Sequence, residues 1–126
     1  MKAPPKITPA ESVVMDAIWR KSPRSADELV QELGPAQGWS EATVRTLIRR
    51  LVQKKALNST PDGRRFLFSP LVGRDAWVHA ESGGLVDRLF EGRLAPFLMH
   101  FSERRKLSAQ DVAELKALIK ELGDGE

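Results

Sequence analysis

Ser40-Glu41-Ala42-Thr43-Val44-Arg45-Thr46-Leu47-Ile48-Arg49-Arg50-Leu51-Val52-Gln53-Lys54-Lys55 is the stretch on which the fold turns. Val44, Leu47, Ile48, Leu51 and Val52 recur at i, i+3, i+4, i+7 and i+8, the spacing of a helix with one buried stripe. The other side carries Arg45, Thr46, Arg49, Arg50, Gln53, Lys54 and Lys55. Donors of this kind, lined along one helix face, match the acceptors on base edges and phosphate oxygens.

Upstream, helix starts are easy to read. Thr8-Pro9-Ala10-Glu11 offers an N-cap hydroxyl, Pro at the first helical position and Glu three residues after the cap. The helix it opens turns Val13, Val14, Ala17 and Ile18 inward, with Trp19 beside them, and ends near Lys21 before Ser22-Pro23. Ser25-Ala26-Asp27-Glu28 is a second capping box. It opens a short helix with Leu29, Val30 and Leu33 inward, expected to stop at Gly34-Pro35. Ser40 caps the third helix, which is expected to run to about Lys55, and Trp39 before it can staple onto Val44.

Downstream, Leu57-Asn58-Ser59-Thr60 and Arg64-Arg65-Phe66-Leu67-Phe68 flank Pro61-Asp62-Gly63. Asp-Gly between two β-capable runs predicts a hairpin, with Phe66 and Phe68 alternating onto its buried face and Pro70 ending the strand. None of the three helices can bury its stripe alone, and the hairpin covers the open end of the bundle. Helix, helix, amphipathic basic helix and hairpin together predict a winged helix-turn-helix over residues 1–71, in a chain that is mainly α with a small β-hairpin.

Residues 72–126 read as a second, helical domain. After Asp75 to His79, the residues Leu85, Leu89, Phe90, Leu94, Phe97, Leu98 and Phe101 form a helical apolar series. Gly83-Gly84 is placed to kink or interrupt it, Gly92 to break it, and Pro96 to mark a turn or a new helix. Ser108 caps a last helix with Val112, Leu115, Leu118, Ile119 and Leu122 inward and Gly123 at its end. No second core is visible for stripes this wide. They are expected to meet a second copy of the chain, a symmetric dimer being the commonest solution, rather than to fold back on the first half.

Charge divides the same way. Residues 1–70 hold five Lys and seven Arg against seven Asp and Glu, a surplus of +5, and the remainder hold three Lys and five Arg against ten, a deficit of −2, giving the net +3. An anionic partner for the first half follows. With no Cys there is no disulfide framework, thiolate metal site or Cys nucleophile, which fits a reducing cytoplasm. Met1-Lys2-Ala3-Pro4-Pro5-Lys6 is not followed by an apolar run, so no signal peptide is expected, and no stretch approaches the ~18 apolar residues of a spanning helix.

Thr43, Arg45, Thr46 and Arg49 are the expected groove contacts, with Arg50 and Lys54 on phosphate. Arg64 and Arg65, at the hairpin tip, suit backbone or minor groove, and Lys2 and Lys6 could add weak phosphate contacts. The bland alternatives are a solvated charged face for the helix, an ordinary solvated turn for Arg64 and Arg65, and a plain disordered terminus for Lys2 and Lys6, which is the favoured reading there. A catalytic site is not evident: His79 and His100 have no ligand-spaced neighbours, and no phosphate-binding Gly loop occurs. Asp27 and Glu28 are explained by helix-start electrostatics, and Trp19, Trp39 and Trp77 as core or interface anchors. No metal and no cofactor are expected, and a small hydrolase lacks any nucleophile–base constellation.

These residues resemble the penicillinase-repressor (BlaI/MecI/CopY) family. Ile7-Thr8-x-Ala10-Glu11-x-Val13-Val14-Met15-x-x-Ile18-Trp19 is similar to its opening, and Trp39-Ser40-x-x-Thr43-Val44-Arg45-Thr46-Leu47-Ile48-x-Arg50-Leu51-x-x-Lys54 to its recognition helix. Gly63-Arg64-Arg65-Phe66-x-Phe68-Ser69-Pro70-Leu71-Val72 resembles its wing and exit. Phe90-Glu91-Gly92 and Lys106-Leu107-Ser108-x-x-Asp111-x-x-Glu114-Leu115 resemble its dimerisation half. The resemblance implies a homodimeric repressor on a pseudo-palindromic operator in double-stranded DNA, with one winged helix per half-site. It also implies a sensor-linked protease that relieves repression by cutting near His100-Phe101. The Cys-rich metal motif of the copper-responsive members has no counterpart here. Arg49 stands where relatives often carry a small or polar residue, which implies a different operator. The competing reading is a winged-helix protein-interaction module, whose third helix would meet acidic side chains instead of DNA.

Overall fold

The computed structural model describes residues 4–104 and 106–124. Hydroxyl caps start the first three helices. Thr8 Oγ1 accepts the Glu11 N–H at 3.1 Å while Glu11 Oε1 accepts the Thr8 N–H at 3.0 Å, opening α1 (Pro9–Arg20). Ser25 and Glu28 form the same reciprocal box at 3.2 Å each way before α2 (Ala26–Gln37). Ser40 Oγ accepts the Thr43 N–H at 3.1 Å before α3 (Glu41–Gln53). Each cap satisfies donors that a helix start leaves without partners.

α2 passes through Gly34-Pro35 instead of stopping there, and ends at Gly38, whose φ is +70°. Pro35 falls in the last turn of an exposed face, so the one lost hydrogen bond leaves a carbonyl that water can reach. The Trp39 N–H then closes on the Gly34 carbonyl at 3.0 Å. α3 ends earlier than expected, with Lys55 at φ +64° as the left-handed residue after the cap. The Lys55 and Ala56 N–H groups return to the Val52 and Leu51 carbonyls at 3.0 and 2.9 Å, the paired closure typical of a left-handed helix end.

The hairpin forms between β2 (Leu57–Asp62) and β3 (Arg65–Pro70), with Asp62 opposite Arg65, so the turn residues are Gly63-Arg64 and not Asp62-Gly63. Gly63 supplies the positive φ of +64° at the first turn position. A third strand absent from the sequence reading, β1 (Arg24–Ser25), pairs antiparallel with β3 and gives the order β1-β3-β2. Phe68 packs on the core, but Phe66 is 53% exposed: it sits too near the tip for the helices to cover it.

The core of this first unit, Met1–Ser82, is one cluster. Val14, Met15 and Ile18 of α1, Leu29 of α2 and Val44 and Leu51 of α3 are sealed, with Ile7, Leu33, Leu47, Ile48, Ala56 and Leu57 around them. Three helices with a small antiparallel sheet in this order are a winged helix-turn-helix. The unit extends past residue 71 because Trp19 Nε1 donates to the Val72 carbonyl at 2.9 Å and stacks at 5.6 Å on Trp77, in the first turns of α4 (Arg74–Phe90).

α4 is not interrupted by Gly83-Gly84, where the expected cost of two glycines is insufficient to stop a helix propagating from both sides. The second unit, Gly83–Glu126, contains the end of α4, α5 (Leu94–Arg104) and α6 (Ala109–Asp124). Gly92, at φ +77°, separates α4 from α5, and Pro96 occupies the first turn of α5, where its missing N–H costs nothing. Ser108 Oγ accepts the Asp111 N–H at 3.0 Å to start α6, which continues through Gly123. Phe90, Phe97 and Phe101 form an edge-to-face ladder with centroid spacings of 5.5 and 5.0 Å. No described residue of this unit is fully buried.

Candidate nucleic-acid interface

α3 presents its stripe to the core and its polar face outward, as its sequence dictates. Val44, Leu47, Ile48 and Leu51 are buried, Val52 half-buried, and Arg49, Arg50 and Gln53 exposed. Thr43 lies exposed in the first turn with its hydroxyl 3.0 Å from Ser40 Oγ, and Thr46 is half-buried. Between α3 and the hairpin runs a groove of about 410 Å³, lined by Arg45, Ile48, Arg49, Val52, Phe66 and Phe68 among others. A smaller cleft beside it gathers Arg45, Arg64 and Arg65 around Ser25, Asp27 and Phe66.

The fold thus brings four candidate arginines, Arg45, Arg49, Arg64 and Arg65, to one edge of the unit. Arg49, Arg50 and Arg64 form no ion pair among the described residues, while Arg65 Nε donates to Asp62 Oδ2 at 3.1 Å. Arg45 is held from two sides. Its Nε donates to Glu41 Oε1 at 3.0 Å, the i to i+4 pair, and its Nη2 to Asp27 Oδ1 on α2. Hydrogen bonding to Glu41 first, and to Asp27, raises the guanidinium pKa above its ordinary value against desolvation.

Lys54 stands apart from this edge. Its Nζ donates to the buried Glu11 carboxylate and, at 3.1 Å, to the Lys6 carbonyl. Burial alone would push the Glu11 carboxyl up. The hydrogen bonds from Lys54 and from the Thr8 N–H outweigh that and hold it below the ordinary carboxylate value. Lys54 is therefore a structural partner first, joining the end of α3 to the start of α1. Lys6 is exposed, and Lys2 lies outside the described residues.

Asp27, Glu41 and Phe66 are the members of this edge that sequence reading did not assign to it. The i to i+4 spacing of Glu41 and Arg45 was a readable signal. Asp27 meets Arg45 only because α2 packs across α3, and no local spacing announces that. Among the described residues there is no cluster of metal-ligating side chains, and no helix is long and apolar enough to cross a membrane.

The residues expected to pair with a second copy lie on the second unit. Leu85, Phe90, Phe97, Leu98, Val112 and Leu115 are half-buried, whereas Leu89, Leu94, Phe101, Leu118, Ile119 and Leu122 are exposed. His100 and Phe101 lie within α5, both exposed.

The chain is similar to known proteins over most of its length. The family model described as penicillinase repressor matches residues 7–121. The chain is 32% identical over 121 residues to the penicillinase repressor of Bacillus licheniformis, covering 96% of this chain and 94% of that one. The solution structure of the DNA-binding domain of the repressor BlaI superposes with a TM-score of 0.55 at 37% identity, covering 60% of this chain and 93% of that one. The Bacillus licheniformis BlaI monomer solved in complex with the blaP half-operator gives a TM-score of 0.53 at 37% identity over the same shares, 60% and 93%.

Proposed function

The chain belongs to the penicillinase repressor family, and from that membership we propose that it is a DNA-binding transcriptional repressor whose α3 reads the major groove of an operator. The observation that carries this reading is the convergence of Arg45, Arg49, Arg64 and Arg65 on one edge formed by α3 and the hairpin. The BlaI domain at 37% identity, solved on a half-operator, supports docking of one such unit per half-site. A major groove about 12 Å wide admits α3, with Thr43, Arg45, Thr46 and Arg49 toward base edges and Arg50 toward phosphate. Arg64 and Arg65 reach the backbone or the adjacent minor groove.

The reading includes a homodimer. The exposed Leu89, Leu94, Phe101, Leu118, Ile119 and Leu122 of the second unit support a self-complementary contact, which would pair two winged helices with two half-sites. It also includes relief of repression by a sensor-linked protease that cuts near His100-Phe101. That bond lies in exposed α5 turns, ahead of α6, so a cut there would release α6 from the rest of the unit and weaken bivalent binding. Nothing in this mechanism requires catalysis by the chain itself.

A duplex selected by the protein from a randomised pool, titrated against a scrambled duplex across salt, tests the reading. Preferential binding that weakens steeply with salt is expected, since phosphate contacts release counterions. Arg49→Ala should weaken the selected duplex by about 1–3 kcal/mol while leaving the oligomeric state unchanged. Equal and weak affinity for both duplexes would overturn it in favour of a protein partner.

A further inference from the structure

Arg45 is gripped by carboxylates from two helix starts. Glu41, the first residue of α3, sets Oε1 at 3.0 Å from Nε and 2.9 Å from Nη2, side-on to the guanidinium. Asp27, in the first turn of α2, sets Oδ1 at 2.5 Å from Nη2. Nη1 has no partner among the described residues. The cluster therefore carries one positive charge and two negative ones, at a side chain otherwise placed to meet DNA.

An arginine on a recognition helix can serve either a phosphate or a base. The two carboxylates act differently on those choices. A phosphate approaching Nη1 brings a third anion against Asp27 and Glu41 in a space losing its water, where like charges repel strongly. Guanine O6 and N7 are uncharged acceptors and meet no such penalty. Specificity of this kind comes from penalising the wrong partner as much as from rewarding the right one. The side-chain exposures fit exchange: Asp27 is 78% exposed and Glu41 61%, so the Asp27 pair is a surface pair that a base edge can replace at little cost. Glu41 meanwhile keeps Nε and holds the plane of the fork.

We propose that Asp27 and Glu41 form a charge filter on Arg45, which turns its guanidinium away from phosphate and onto a neutral base edge, guanine being the matching one. They are positioning residues that set specificity through Arg45. The inference rests on the reading of α3 as the DNA-reading helix.

The test uses the full chain, a duplex selected by the wild type from a randomised pool, and a scrambled duplex of the same length, each titrated from about 50 to 200 mM salt. Asp27→Asn and Glu41→Gln remove one negative charge each without changing size. Asp16→Asn, on an exposed position of α1, is the charge-matched control. Asp27→Asn is expected to tighten the scrambled duplex by roughly fivefold or more and to steepen its salt slope by about 1, one added phosphate contact. The selected duplex should gain less, so the preference falls, and Glu41→Gln should act in the same direction. Asp16→Asn should move both duplexes by one common factor. If Asp27→Asn and Glu41→Gln behave as Asp16→Asn does, or raise the preference, the filter is overturned. Arg45→Ala separates the two levels. If it abolishes the preference while Asp27→Asn tracks the control, only the filter fails. If it leaves the preference intact, or if no duplex emerges from the pool, the reading of α3 itself fails.

Discussion

In the unit ending at Ser82, Val14, Met15, Ile18, Leu29 and Leu51 reach 0% exposure, whereas in the unit from Gly83 onward Leu94, Ile119 and Leu122 keep 57%, 66% and 64%. Both units are built from capped amphipathic helices. Only the first closes its stripes on one another, because three helices crossing at different directions, backed by a sheet, enclose a volume. The end of α4 with α5 and α6 supplies stripes without such an enclosure. Amphipathic pattern alone thus does not make a core; the first unit encloses its own, and the second is expected to cover its stripes against a second copy.

The largest expected effect breaks this contrast directly. Leu29→Ala should destabilise the first unit by about 3 kcal/mol in denaturant unfolding, the cost of a cavity in a sealed core. The equally sized truncation Ile119→Ala should leave that transition in place and weaken self-association about tenfold in sedimentation, close to 1.4 kcal/mol. A large loss of first-unit stability from Ile119→Ala would mean that the two units share one core.

Next in size is Glu11→Gln, expected to cost about 2 kcal/mol, because a buried acceptor loses its charge while Lys54 loses its partner. The sign of its pH dependence is fixed. The folded carboxyl titrates below its ordinary 4.5, so its contribution is complete above that pH and is lost as pH falls through the folded value. The wild type should lose stability on acidification more steeply than Glu11→Gln. Glu28, whose carboxyl the Ser25 N–H and hydroxyl also hold low, adds a loss of the same sign to both proteins. Parallel acid profiles would remove Glu11 from the account.

The smallest effect sharpens the contrast within α3. Lys55 takes a left-handed φ of +64° that glycine adopts freely, so Lys55→Gly should raise the unfolding midpoint by about 1 kcal/mol equivalent. DNA affinity should remain within a factor of about two, since Lys55 is not among the proposed contacts.

Much of the first unit was legible because its signals are local. Thr8/Glu11, Ser25/Glu28 and Ser40 announce helix starts, and the stripe Val44, Leu47, Ile48, Leu51 announces a buried face. What stayed hidden is set by tertiary contact. β1 spans two residues, too short for any periodicity, and exists because β3 offers it an edge. Pro35 and Gly83-Gly84 are breakers by propensity, overridden where the surrounding helix supplies the remaining bonds. At the candidate site, the arginines were readable as a basic face. The engagement of Arg45 by Asp27 and of Lys54 by Glu11 joins residues 18 and 43 positions apart and required the packing of helix on helix.

That last link has a mechanical consequence. A single oxygen, Glu11 Oε1, accepts both the Thr8 N–H that starts α1 and the Lys54 ammonium that ends α3. A helix advances about 1.5 Å per residue along its axis, so a slide of α3 by one residue would draw Lys54 away from an oxygen that the Thr8 N–H holds in place at the start of α1. The rivet at Glu11 fixes the axial zero of the helix, and every side chain along α3 inherits its depth from that mark.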